Sequence, residues 1–136
     1  MAKPKSRAKL TGRANSGKHY QVPRSVYETP AFRSLSPIAF KLFHNLLEQL
    51  NGRNNGKICA VDSQLKLLGW PESSFRKAMN ELIEKGFMVR NFQGGIGPAG
   101  KKPSRYRFTH LQATDAQEFD CPSTGPTNDF LKWTPK

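Results

Sequence analysis

The stretch DSQLKLLGWPESSFRKAMNELIEK, Asp62 to Lys85, decides how this chain is expected to fold. Leu65 and Leu68 recur at helical spacing with Val61 just ahead, and Asp62 is suited to cap the helix they define. Gly69 breaks that helix and Trp70-Pro71 makes a tight turn. From Pro71 or Glu72 to Lys85, the residues Phe75, Ala78, Met79, Leu82 and Ile83 predict a longer helix with one buried stripe. Gly86 stops it, and Lys85 sits where a cation favours the negative helix end. The first helix braces the second, which leaves one side of the second to face outward. That side carries Ser73, Ser74, Arg76, Lys77 and Asn80.

Upstream, Ser36 is a capping residue, and Pro37 suits the first helical position because its missing N–H would be unpaired there in any case. Ala39, Leu42, Phe43, Leu46, Leu47 and Leu50 then form one apolar face, with Lys41, His44, Asn45 and Glu48 largely away from it, and Asn51-Gly52 ends the helix. Asn51 to Gly56, NGRNNG, is a polar turn cluster, followed by a short strand at Lys57 to Ala60. Pro23 to Leu35 reads as a short helical lead-in. Before it, Met1 to Tyr27 contains no acid but Lys3, Lys5, Arg7, Lys9, Arg13, Lys18 and Arg24. Met1 to Lys18 has too little apolar surface to offset the entropy of ordering, so residues 1–19 are expected to be a disordered basic arm, either a solubilising tail or a DNA-contacting arm.

Downstream, Phe87 to Phe92 alternates as a half-buried strand, with Phe87, Val89 and Asn91 on one face and Met88, Arg90 and Phe92 on the other. Those faces are not sorted by polarity, which leaves the register open. Gln93 to Ser104 is a Gly- and Pro-rich loop, and Arg105 to Thr109 a second strand. Lys101, Lys102, Arg105 and Arg107 lie on or beside that loop, and no acid occurs between Lys85 and Gln112. Beyond Gln112 the chain turns acidic, with Asp115, Glu118 and Asp120, and reads as an extended tail whose Phe130, Leu131 and Trp133 are candidates to dock. The expected organisation is therefore an arm over 1–19, a domain over 20–112 and a tail over 113–136.

A length of 136 residues suits one domain with tails. The net charge of +12 and pI near 10.1 attract polyanions, without separating nucleic acid from an anionic membrane face. No apolar run is long enough to span a bilayer, and the basic N-terminus lacks the apolar stretch of a signal peptide, so a cytoplasmic protein is expected, nucleoid-associated if bacterial. Cys59 and Cys121 then read as reduced thiols. Enzymatic signals are weak. Gly95 to Lys102 nearly fits the phosphate-loop pattern, but Lys102 replaces the metal-binding Ser or Thr, and a strand rather than a helix follows. His19, His44 and His110 form no ligand pattern with the cysteines, and nothing local activates a nucleophile. No catalytic residue, metal, cofactor or small-molecule ligand is assigned.

The order helix, short strand, helix, sharp turn, helix, strand, Gly-rich loop, strand resembles the winged-helix branch of the helix-turn-helix superfamily. Leu65 to Leu82 and Lys85-Gly86-Phe87-Met88-Val89-Arg90 carry the resemblance, which covers about Ser36 to Thr109. With NGRNNG upstream, the chain is similar to small proteins encoded in phages and integrative elements of proteobacteria. Members place Ser or Thr before the recognition helix, where this chain has Trp70-Pro71, so the groove-facing register stays open by one or two residues. The resemblance implies an α+β winged helix-turn-helix with a three-helix core and a β-hairpin wing. In such a fold the second helix enters the major groove of double-stranded DNA, where Arg76 is suited to guanine and Asn80 to adenine. Ser73, Ser74, Arg76, Lys77 and Asn80 are the expected readout set. Lys101, Lys102 and Arg105 are the expected wing contacts, and Lys3, Lys5, Arg7, Lys9 and Arg13 the arm contacts. The expected role is sequence-specific transcriptional regulation for a mobile element, with homodimerisation open. A plasmid or phage replication or partition factor, a protein-docking winged helix and, further off, an RNA binder are the competing readings.

Overall fold

Pro30 divides the expected lead-in helix into two single turns. In the computed structural model of the chain, which describes residues 21–59, 68–97, 100–114 and 117–135, these are α1 (Arg24–Tyr27) and α2 (Pro30–Arg33). A residue before proline is driven toward extended backbone, and Thr29 sits at φ −75°, ψ 150°. Its hydroxyl donates to the Val26 carbonyl at 2.7 Å and accepts the Phe32 N–H at 3.2 Å, closing one turn and capping the next.

Ser36 and Pro37 start α3 (Pro37–Leu47) as the sequence predicts, with Ser36 Oγ accepting the Ala39 N–H at 3.3 Å. The helix stops short of the expected Asn51-Gly52 end. The Gln49 and Leu50 N–H groups bond three residues back, to Leu46 and Leu47, which tightens the last turn. The Gln49 amide then binds the backbone of Cys59 from both sides, donating to its carbonyl at 2.6 Å and accepting its N–H at 3.2 Å. Of the expected strand at Lys57 to Ala60, the described residues Lys57 to Cys59 keep one bridge, in which Ile58 exchanges both backbone hydrogen bonds with Tyr106, and Ala60 lies outside the described residues.

Further on lie α4 (Glu72–Glu84), β1 (Met88–Phe92), β2 (Gly95–Gly97), β3 (Gly100–Lys102) and β4 (Arg105–Phe108). The fold is α+β, with four α-helices among the described residues. The antiparallel pair β1–β4 places Met88 opposite Phe108 and Arg90 opposite Tyr106, and its register shifts between Arg90 and Phe92. This bulge changes the alternation beyond Arg90. It leaves Asn91 to donate to the carbonyls of Gly56, at 2.9 Å, and Phe119, at 2.7 Å. Within the supposed loop from Gln93 to Ser104, β2 and β3 pair as a second antiparallel ladder on either side of residues 98–99, which lie outside the described residues. Together the four strands make one long β arm, kinked at Gly94. The Gly94 N–H donates to Ser104 Oγ at 2.9 Å, and a Cβ on Gly94 would collide with the backbone of Lys102 to Ser104. The expected helix from Asp62 lies outside the described residues up to Leu67.

Phe43, fully buried on α3, centres the core. The rings of Phe32, Phe87 and Phe108 meet it edge-on at 5.4–5.8 Å between centroids, the preferred aromatic geometry. The segment after Gln112 is not an extended tail. Ala113 bridges Thr124, one 3-10 turn forms at Gln117–Phe119 and another at Asp129–Lys132. Phe130 then stacks on Phe87 at 5.1 Å and 9°. The chain passes so close to Gly86 (φ +86°) that a Cβ there would fall 2.6 Å from the Phe130 nitrogen. Trp133 docks over the Lys85 ammonium at 5.2 Å, whereas Leu131 points to solvent. Cys59 and Cys121 form no disulfide.

Candidate nucleic-acid interface

The start of α4 is fixed by a turn fastened to α3. Gly69 takes φ +79°, and Trp70 is buried with its indole N–H on Asn45 Oδ1 at 2.8 Å. The Lys41 ammonium lies 4.9 Å over the Trp70 ring and 3.4 Å from the Leu68 carbonyl. Pro71 is the N-cap residue and makes no side-chain capping bond. Anchoring of this turn thus replaces the Ser or Thr cap expected there. Ala78, Met79 and Leu82 are buried against the core, with Phe75 and Ile83 partly so.

Opposite that stripe, Ser73, Arg76, Lys77 and Asn80 are exposed. Their spacing places them on one face of the helix. They line an open depression of about 350 Å³. Ser74, in the expected set, is half-buried and does not line it. Glu81, next to Asn80 in sequence, is turned away from this face. Glu81 accepts the Ser36 N–H at 2.8 Å and the Ser36 hydroxyl at 2.6 Å, and pairs with Lys85 at 3.3 Å. Burial works to raise its carboxyl, but these hydrogen bonds and the Lys85 charge outweigh it and hold the carboxyl below its ordinary value. Lys85 also donates to the Ser34 carbonyl at 2.8 Å. The Glu81 charge is thereby compensated at the start of α3, and the four residues lining the depression include two cations and no acid.

No protein family, curated protein or solved structure matches the chain.

The residues expected in the wing are divided. Lys101 and Lys102 lie on β3 at the end of the arm, with Lys101 paired in register to Ile96 and Lys102 to Gly95. Arg105 belongs instead to the base of the arm. It is half-buried, donates to the Lys57 carbonyl at 3.0 Å and stacks 4.5 Å over the Phe119 ring. Arg107 reaches Thr127 Oγ1 at 3.3 Å. Arg90 is exposed over the Tyr106 ring, at 5.6 Å. Lys3, Lys5, Arg7, Lys9 and Arg13 lie outside the described residues. His44, expected to face solvent, is half-buried against Phe40 with ring centroids 4.6 Å apart. Among the described residues no three His, Cys, Asp or Glu side chains are grouped to hold a metal, and no helix is long and apolar enough to cross a membrane.

Proposed function

We propose that the chain is a non-enzymatic, sequence-specific binder of double-stranded DNA with a winged-helix arrangement, acting as a transcriptional regulator of a mobile element. The observation that carries this reading is the depression on α4 lined by Ser73, Arg76, Lys77 and Asn80. Short polar and cationic side chains at this spacing are the complement of base edges and flanking phosphates in a major groove. In this reading α4 is the recognition helix and the kinked β arm is the wing. Arg76 and Asn80 read bases, while Ser73 and Lys77 hold the backbone. Lys101 and Lys102 add phosphate contacts, as do the arm residues Lys3, Lys5, Arg7, Lys9 and Arg13.

Selection from a random duplex pool, followed by titration of the winner against a scrambled duplex at several salt concentrations, tests it. Arg76→Ala with Lys77→Ala should weaken binding to both duplexes and cut discrimination between them by about 1–3 kcal/mol, the worth of one well-formed interaction with a base edge. Glutamine at the five arm cations should weaken binding to both duplexes alike and flatten the salt dependence, by roughly 0.9 in log–log slope for each phosphate no longer neutralised. If no motif is enriched and all duplexes bind alike, sequence-specific regulation is wrong. A protein-docking role then becomes the working account.

A further inference from the structure

Asparagine precedes glycine twice in this chain, at Asn51-Gly52 and at Asn55-Gly56. In such a pair the glycine nitrogen can close a small ring onto the side-chain carbonyl carbon of the asparagine, and no side chain on the glycine obstructs it. The fold treats the two pairs differently. Asn55 is buried, and its amide is bonded at both ends: Oδ1 accepts the Phe108 N–H, and Nδ2 donates to the carbonyls of Phe108, Leu111 and Gln112. Gly56 is pressed against the C-terminal segment, since a Cβ there would fall 2.5 Å from Cys121 Sγ. Turning this amide onto the Gly56 nitrogen means breaking all of those bonds. Asn51, in contrast, is exposed. Its Oδ1 accepts the Arg53 N–H at 2.8 Å, which folds the amide over the backbone of Gly52, and its Nδ2 has no partner among the described residues. A Cβ on Gly52 would meet nothing within 4 Å, so the turn is uncrowded there.

We propose that Asn51 is a site of self-modification by deamidation, and that the fold protects the same dipeptide at Asn55. The Gly52 nitrogen gives its proton to hydroxide and attacks Asn51 Cγ. The C–Nδ2 bond breaks, Nδ2 takes a proton from water and leaves as ammonia, and a cyclic imide remains. Water then opens the imide at either carbonyl, giving aspartate at one and isoaspartate at the other. The sum is one water consumed and one ammonia released, with no change of oxidation state. The Arg53 N–H points at Oδ1, where negative charge develops during the attack, so it stabilises the intermediate as an oxyanion donor does. Either product places a carboxylate in a turn of a chain whose net charge is +12. Isoaspartate also lengthens the main chain by a methylene beside the Asn51 N–H, which donates to Asn54 Oδ1 at 3.0 Å. Asn54 in turn donates to the Gln49 carbonyl at 2.6 Å, so the isoaspartate form loosens the turn that joins α3 to the Ile58 bridge.

The test ages the full chain in mildly alkaline buffer, folded in one sample and unfolded in urea in the other. Brief digestion with trypsin cuts after Arg53, which recovers Asn51 in the peptide Leu42 to Arg53 and Asn55 in the peptide Asn54 to Lys57. Mass spectrometry reads the change from amide to acid in each peptide, and electron-transfer fragmentation assigns its position and separates isoaspartate from aspartate. In the folded chain Asn51 should convert, and Asn55 should convert at least about tenfold more slowly, because its route waits on local opening of the structure. In urea the two rates should come together. Asn51→Gln, whose longer side chain would have to close a larger ring, should end conversion in the first peptide and leave the circular dichroism spectrum unchanged. Conversion in that peptide that survives Asn51→Gln arises elsewhere, at Asn45, and overturns the proposal. So does an Asn51 that converts in urea but not in the folded chain, or one that converts no faster than Asn55 when folded.

Discussion

Replacing Asn55 with alanine is expected to lower the unfolding free energy by about 3–4 kcal/mol, a large part of the 5–15 kcal/mol typical of a domain. Asn55 is 4% exposed, and its side chain closes the NGRNNG turn onto the end of β4. Oδ1 accepts the Phe108 N–H at 2.7 Å, while Nδ2 donates to the carbonyls of Phe108, Leu111 and Gln112 at 3.1–3.3 Å. Its own carbonyl accepts the Thr114 N–H at 2.9 Å. Alanine leaves the Phe108 N–H and its neighbouring carbonyls short of partners where water has little access, and each group so stranded costs about 1–3 kcal/mol. Asn55→Asp sharpens the test. It keeps an acceptor for the Phe108 N–H but turns a second acceptor toward three carbonyls, so it should be at least as damaging. Urea unfolding should show a lower midpoint at unchanged slope for both variants. A destabilisation below about 1 kcal/mol for Asn55→Ala would show that water substitutes for the amide.

The second large effect is on acid stability. His110 is 8% exposed, flanked by the rings of Phe43 at 5.7 Å and Phe108 at 5.4 Å. Neither ring nitrogen has a hydrogen-bond partner. Burial lowers its pKa from 6.5 to about 4. An unfolded chain therefore takes up a proton below pH 6.5 that the folded chain refuses until about 4. Stability tied to this ring is complete above that window, falls through it, and levels off below. A gap of this width corresponds to about 3 kcal/mol, at about 1.4 kcal/mol per pH unit. Burial lowers His44 in the same sense. Glu81 adds a further decline at lower pH, as its carboxylate becomes protonated. His110→Leu removes both unpaired nitrogens and the linked proton. Its stability should match or exceed that of the parent at pH 7 and decline less on acidification, with the His44 and Glu81 contributions remaining. Parallel stability profiles for parent and variant between pH 6.5 and 4 would show that His110 is not the group responsible.

What could be read in the sequence was what depends on near neighbours. The Ser36-Pro37 start of α3 and the buried stripe of α4 follow from local chemistry and a period of 3.6 residues. The same period places Ser73, Arg76, Lys77 and Asn80 on one face. The expected set also included Ser74, which the structure half-buries at the edge of that face. Distant partners were invisible. Arg105 looked like a wing cation, yet the carbonyl that holds it belongs to Lys57, 48 residues earlier. Asn55 read as a turn former, although its amide serves residues 53–57 positions later. The C-terminal segment has no hydrophobic period, and only the stacking of Phe130 on Phe87 shows why it is drawn in.

The kink at Gly94 also divides the arm for evolution. On the near side Met88, Tyr106 and Phe108 are core residues, so a change there is screened first by whether the protein still folds. On the far side the side chains of Ile96 and Lys102 stand in solvent and join neither core cluster. Selection for foldability therefore weakens beyond Gly94, and Gly95, Ile96, Gly100 and Lys102, all exposed, answer chiefly to selection for what they touch. Lineages that change target are expected to diverge there first, in length as well as in sequence, while the core behind the kink stays the same.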